Sequence, residues 1–312
     1  MALGPVGPIP AGPNLLRRPR PITHARAYSI LLGVTFLWAG NFPFGKLALA
    51  ELGPLTLTSA RAVLAVPLLL VAARLMHGPL PRPTRADKWA FVLISLTGLV
   101  CNTTMWYWGL QYTSPINAGI LGAGAPVLVA IAGALWLGDP LAKRHYVGFA
   151  LTMGAVLLTV SHGSLEILRT LSFNKGDLII LGSQWAWIAY SLLGRATNSR
   201  LPILTLQAGA HVVSAVVLLP LALLERPWAA LAQASAIGWG VILYAAGPLT
   251  LGHVLYYKGV SVVGAGRAAI FMNLIPFLVI GLSWLFLGER VYWYHLVGAT
   301  AAIGGVALAT SK

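Results

Sequence analysis

Long apolar stretches broken by short polar segments dominate this chain. Ten runs of mostly apolar residues can be marked, at roughly 27–48, 55–76, 88–110, 115–137, 144–161, 176–196, 202–224, 236–258, 265–287 and 293–310. Each reaches or approaches the roughly 20 residues that an α-helix needs to cross a bilayer core. The connections on either side of the fourth and ninth runs are very short, which makes those neighbours antiparallel hairpins. The longest internal connection, residues 162–175, separates the fifth run from the sixth.

The pattern repeats. Shifted by 150 residues, 107–158 lies on 257–308 without a gap: Tyr107 on Tyr257, Gly109 on Gly259, Pro126 on Pro276, Leu137-Gly138-Asp139 on Leu287-Gly288-Glu289, and His145 on His295. Apolar bias can supply Leu and Ala matches, but not a Pro, a Gly-acid pair and a His in register. The chain therefore reads as two copies of one unit, 27–161 and 176–312, joined by 162–175 and preceded by a Pro/Gly-rich, disordered tail over 1–26. Five runs is an odd number, so the second copy enters the membrane the opposite way up. The expected fold is an all-α polytopic membrane protein, with ten transmembrane helices in two inverted five-helix repeats around a central cavity.

Composition agrees. Of 312 residues 58% are hydrophobic and 9% charged, with mean hydropathy +0.80, against roughly 25% charged in a soluble domain. A net charge of +14 would point to nucleic acid in a soluble protein; here the basic residues lie between apolar runs, so lipid is the partner and nucleic acid is not. With the N-terminus inside, 15 of the 21 Lys and Arg fall on inner segments and five on outer ones. Both termini are then cytoplasmic. The single cysteine, Cys101, excludes an intrachain disulfide and a thiolate metal site.

All seven acids lie at run ends or in loops. A buried carboxylate that exchanges a proton for a cationic substrate is therefore not expected. Asp139 and Glu289, repeat equivalents, are read as N-terminal caps of the helices that follow them. Arg61 is the one fixed charge well inside a run rather than near its ends, where a charge costs roughly 2.5–3.5 kcal/mol at mid-helix and less near the interface. It reads either as an anchor for a substrate carboxylate or as a side chain snorkelling to the headgroups. His211, its equivalent at the 150 offset, and His253 are candidates for the same cavity, or packing residues. The amides Asn41, Asn102, Gln184 and Asn273 fall near run centres, where buried polar groups must find partners. Trp38 and Trp187 head a second, weaker repeat signal, each eight residues before a base (Lys46, Arg195). Trp106, Tyr190 and Tyr244 could complete an aromatic cavity; aromatics also gather at membrane interfaces. Pro126 and Pro276 should kink the fourth and ninth runs and serve as hinges, or simply as static bends. Ala150/Gly154 and Thr300/Gly304 put small residues four apart, for close helix contact within the chain or in a dimer.

These residues resemble a known family. The five-run repeat, Trp38-Ala39-Gly40-Asn41-Phe42 in the first run, Tyr112-Thr113-Ser114 before the fourth, the central Pro and the Leu-Gly-acid exit are similar to the EamA domain of the drug/metabolite transporter superfamily, over nearly all of 27–310. Within it the chain looks most like the aromatic amino acid exporters of the YddG type. The resemblance implies a cavity lined by helices 1–4 and 6–9, with 5 and 10 in support. The superfamily's small drug pumps carry an essential Glu in their first helix; this sequence has none there.

The expected function is export of small metabolites across the bacterial inner membrane by alternating access, with aromatic or neutral amino acids as the first substrate class and drug-like compounds as a second. A proton-coupled multidrug antiporter and a passive metabolite channel are the alternatives. No catalytic constellation lies at membrane depth and no phosphate-binding loop is present, so neither an enzyme nor a bound cofactor or metal is expected. Monomer and homodimer are both open.

Overall fold

The computed structural model describes residues 23–137, 143–196, 201–264, 268 and 271–310. Among these every regular element is helical. In chain order they are α1 (His24–Ala48), α2 (Pro54–His77), α3 (Arg85–Tyr112), α4 (Pro115–Ala123), α5 (Ala125–Leu137), α6 (Lys143–Val160), α7 (Leu165–Thr170), α8 (Lys175–Ala196), α9 (Ile203–Ala222), α10 (Pro227–Gln233), α11 (Ala236–Ala246), α12 (Pro248–Val263), α13 (Ile275–Leu287) and α14 (Trp293–Thr310). Helical residues occur in each of the ten predicted runs. Among the described residues six stretches are long and apolar enough to cross a membrane: 24–48, 54–77, 85–112, 115–136, 203–225 and 236–260. α13 and α14 are shorter apolar helices.

Local chemistry sets the boundaries. Thr23 accepts from the Arg26 amide at the start of α1, and Thr84 and Asp87 form a reciprocal capping box at the start of α3. Pro54, Pro115, Pro227 and Pro248 stand in first turns, where a missing N–H costs nothing. Pro126 and Pro276 behave in the same way. The fourth run does not bend through Pro126: it stops at Gly124 and restarts as α5. The ninth breaks at Asn273-Leu274 and restarts as α13. The expected kinks are therefore interruptions.

The helix pairings carry the repeat into space. α1 packs on α12 as α8 packs on α3; α2 on α11 as α9 on α3; α1 on α13 as α8 on α4 and α5. The pairs α2/α9 and α6/α14 join equivalent helices, and α4/α13 joins the first half of the fourth run to the second half of its equivalent, the ninth. This is the contact pattern of a pseudo-two-fold axis between the repeats. The α6/α14 contact uses other small residues than those expected. A Cβ on Gly305 would fall 2.5 Å from the Gly148 carbonyl, and one on Gly298 would fall 2.9 Å from the Thr159 hydroxyl, whereas Gly154 and Gly304 have nothing within 4 Å.

The turns at 49–53, 113–114, 161–174, 223–235 and 288–292 meet at one end, here called the linker end. The main apolar cluster lies there, built from both repeats: Leu52, Leu57, Tyr107, Leu110, Leu121, Ile180, Val241 and Ile242.

Candidate functional site

Beneath that cluster the two repeats enclose a cavity of about 740 Å³. Phe42, Trp106 and Gln184 line it towards the linker end; Ile94, Ile203, Leu206 and Val306 line it towards the other. A side pocket of about 80 Å³ shares Arg61, Asn102, Trp187 and His253 with it, and adds His211.

The lining contains ten of the twelve residues singled out for it from sequence: Trp38, Asn41, Arg61, Asn102, Trp106, Gln184, Trp187, Tyr190, His253 and Asn273. His211 lines the side pocket. Tyr244 belongs to neither. Its hydroxyl donates to the Leu37 carbonyl and its ring meets Phe44 edge-on, so it is a packing residue between α11 and α1. Pro126 and Pro276 also line the cavity, which places both helix breaks on its wall. Ile303 and Val306 of α14 do so too, so the tenth run is more than a support. Gln207 and Thr103 were missed; one polar residue in an apolar run was their only signal.

Most of the polar lining is already occupied. Asn102 donates to the Ser183 carbonyl at 2.9 Å, and Gln184 to the Ile180 carbonyl at 3.3 Å. Asn41 accepts from the Tyr107 hydroxyl at 2.9 Å. His211 Nδ1 donates to the Gln207 carbonyl at 2.8 Å, which fixes Nε2 as its acceptor nitrogen. Trp38 stacks obliquely with His253 and Tyr256, at 5.0 and 5.3 Å between ring centres, and its buried Nε1 has no acceptor among the described residues. Phe42–Trp106 and Trp187–Tyr190 form two further ring pairs. α3 is π-helical from Ser95 to Asn102, a local widening that delivers Asn102 to the wall.

Arg61 differs from all of these. It is half-buried, faces both the cavity and the side pocket, and has no hydrogen-bond or carboxylate partner among the described residues. Its charge acts on both His211 and His253. Among the described residues no Asp or Glu lines either space. A guanidinium in this setting offers planar, paired donors to a carboxylate.

The acids are elsewhere, and not all are exposed. Asp177 is fully buried at the linker end. It accepts from the Thr113 hydroxyl, and from Asn117 at 3.4 Å, with His162 at 3.9 Å. Its place at a run end did not show this burial, because it says nothing about what the other repeat packs over it; Asp177 lies outside the cavity, so the expectation of no proton-exchanging carboxylate among the lining residues is not contradicted by it. Glu289 is half-buried and does not cap α14. Gly288, with φ of 62°, turns the chain so that the carboxylate lies by Ser114 and the Ile116 amide at the start of α4, near Lys46. Free first-turn amides attract it there. Asp139, its repeat equivalent, lies outside the described residues. Lys46 donates to the Leu110, Gln111 and Thr113 carbonyls at 2.7, 3.0 and 2.8 Å, so the base that follows Trp38 closes off the end of α3.

A model of the EamA-like transporter family matches 25–161 and again 174–311. The chain is 27% identical to an uncharacterised transporter, YyaM, of Bacillus subtilis, over 92% of this chain and 94% of that one. It is 25% identical to a protein of Streptantibioticus cattleyicolor named as a "probable terminal-alkyne amino-acid exporter", over 91% and 93%. It is 23% identical to the S-adenosylmethionine/S-adenosylhomocysteine transporter of Chlamydia trachomatis serovar L2, over 81% and 80%. A protein crystal structure superposes on 92% of this chain and 98% of its own, with a TM-score of 0.60 at 18% identity, a likeness of fold alone.

Proposed function

Since the chain belongs to the EamA-like transporter family, and so is a membrane transporter, we propose that it exports small carboxylate-bearing metabolites by alternating access, with aromatic and neutral amino acids as the first substrate class. In this reading the chain crosses the bacterial inner membrane ten times as two inverted repeats. Both termini are cytoplasmic, and the linker end faces outwards. The cavity is then closed outside and lined towards the cytoplasm, ready to load an export substrate.

The observation that carries the reading is the unpartnered Arg61 guanidinium in an aromatic cavity. A substrate carboxylate settles on Arg61 and an apolar side chain among Trp38, Phe42, Trp106 and Trp187. The ammonium is met by amide oxygens and ring faces. A relative named as an amino-acid exporter supports the class. Equivalent helix pairings on the two sides of the pseudo-axis supply the rocking: each arrangement of one repeat has a counterpart in the other. Proton-coupled antiport is favoured by one observation, the buried Asp177, although that acid lies at the linker end and not in the cavity.

Proteoliposome uptake tests the proposal, using radiolabelled threonine, methionine, phenylalanine and tryptophan, with and without a pH gradient. Saturable uptake with counterflow is expected. Arg61→Ala should raise KM about tenfold to a hundredfold, the value of a lost charge-assisted hydrogen bond. It should leave the melting temperature unchanged or raised, because Arg61 bonds nothing in the described protein. No uptake of any of the four would overturn the amino-acid reading. Linear uptake without counterflow would favour a channel.

A further inference from the structure

The linker end closes through a reciprocal pair of carboxylates. Glu225 of the second repeat accepts from the Leu55 and Thr56 amides at 3.1 and 2.7 Å, covering the first turn of α2 in the first repeat. Glu51 of the first repeat accepts from the Ser235 amide and hydroxyl at 2.7 and 2.6 Å, holding the residue that caps α11 in the second. Glycines cradle both carboxylates. A Cβ on Gly53 would collide with the Glu225 carboxylate, and one on Gly238 would stand 2.8 Å from Glu51 Oε2. Between the two contacts, 223–235 runs as a strap, and its Ala230, Leu231 and Ala234 pack on the apolar cluster above the cavity.

We propose that Glu51 and Glu225 form a two-way clasp that latches the linker-end gate and releases once in every transport cycle. The proposal rests on the alternating-access reading. The cavity is built from both repeats, so its exit at this end requires them to part, and both contacts cross the parting line. Lys46 provides the contrast: its three bonds stay within the first repeat and do not have to break. The clasp is also chemically suited to release. Each carboxylate meets N–H or O–H donors at an aqueous end, where water replaces the partners on both sides. Glutamine is a poor substitute, because its NH₂ would face an N–H donor.

The test uses full-length protein with Cys101→Ser and a reporter, Thr103→Cys, on the cavity wall. An impermeant maleimide is applied from each side in turn, to cells and to inverted vesicles. A disulfide between Glu51→Cys and Ser235→Cys is expected to cut reporter labelling from one side at least tenfold, to leave labelling from the other side intact, and to be reversed by reductant. Glu51→Gln and Glu225→Gln should raise labelling from that same side about tenfold, the shift that loss of one charge-assisted bond produces in a two-state population. Labelling indifferent to the disulfide on both sides would overturn the clasp and leave alternating access standing. Labelling of the reduced protein from one side only would overturn alternating access itself.

Discussion

Glu289 and Glu51 sit at the same end of the molecule and respond to protons in opposite directions. Burial lifts the Glu289 carboxyl above the ordinary range; Ser114, the Ile116 amide, Lys46 and Ser283 pull it part of the way back, and Tyr294 also faces it. The two Ser235 hydrogen bonds hold exposed Glu51 below that range. Opening returns both to the ordinary value. Just above the ordinary carboxylate range the closed form binds a proton at Glu289 that the open form does not, so acidification through that window favours closure. The contribution of Glu51 is present above the ordinary range and is lost as pH falls through its depressed value, which favours opening. Labelling of the Thr103→Cys reporter through the linker end, normalised to the same cysteine in denatured protein, should first fall and then rise as pH drops from 7. Glu289→Gln should remove the fall and Glu51→Gln the rise. A monotonic profile that neither variant alters would refute the assignment. Arg61 was legible in the sequence because one base in an apolar run has few explanations. The burial of Asp177 and Glu289 was not, because what covers them comes from the other repeat.

Among the elements, glycines tell apart the helix faces that touch from those that meet lipid. On α14, Gly305 lies against the Gly148 carbonyl and Thr152, while Gly304, one residue away, has open space. Gly305→Ala should destabilise the α6/α14 pair by about 1–3 kcal/mol through overpacking. Gly304→Ala should be neutral or stabilising by up to about 1 kcal/mol, from helix propensity alone. Thermal melts of the two variants in the same detergent check this, and equal shifts would mean that the helix is rotated from the described position. Spacing alone marked Gly154 and Gly304 for close contact within the chain or in a dimer; within the chain the contact is made instead by Gly305 against Gly148 and Thr152. Small residues are frequent on both faces of an apolar helix, and hydropathy does not separate lipid from protein. The breaks before Pro126 and Pro276 were half legible. The prolines fix where a helix can restart, but the stops at Gly124 and at Asn273-Leu274 depend on the packing of α4 against α13. Helix existence was readable because a bilayer imposes a long apolar run on every span, and the repeat because a Pro, a Gly-acid pair and a His recur in register at a fixed offset of 150 residues.

For the whole molecule, two independent asymmetries have to agree. One is charge: 15 Lys and Arg fall on one set of connections and five on the other. The other is closure: the apolar cluster, the strap and the cross-repeat carboxylates gather at the linker end, which carries the base-poor set. The proposed orientation follows the positive charges and puts the base-poor end on the translocated side. In the proposed orientation the closed end of the cavity is the outer end, and the described state is proposed as the one that collects cargo from the cytoplasm. Reporter fusions check the orientation without reference to any substrate. Alkaline phosphatase inserted between Arg169 and Ser172 should be active, and green fluorescent protein after Lys312 should fluoresce. Moving charge should move the outcome: Arg-to-Ala changes at the base-rich connections should weaken both signals, whereas changes at Arg169 and Arg226 should not. If the linker fusion is inactive while the C-terminal fusion fluoresces, the number of crossings between them is even and the five-and-five division fails. If both signals are reversed, the cavity faces outwards at rest, and the same geometry describes an importer.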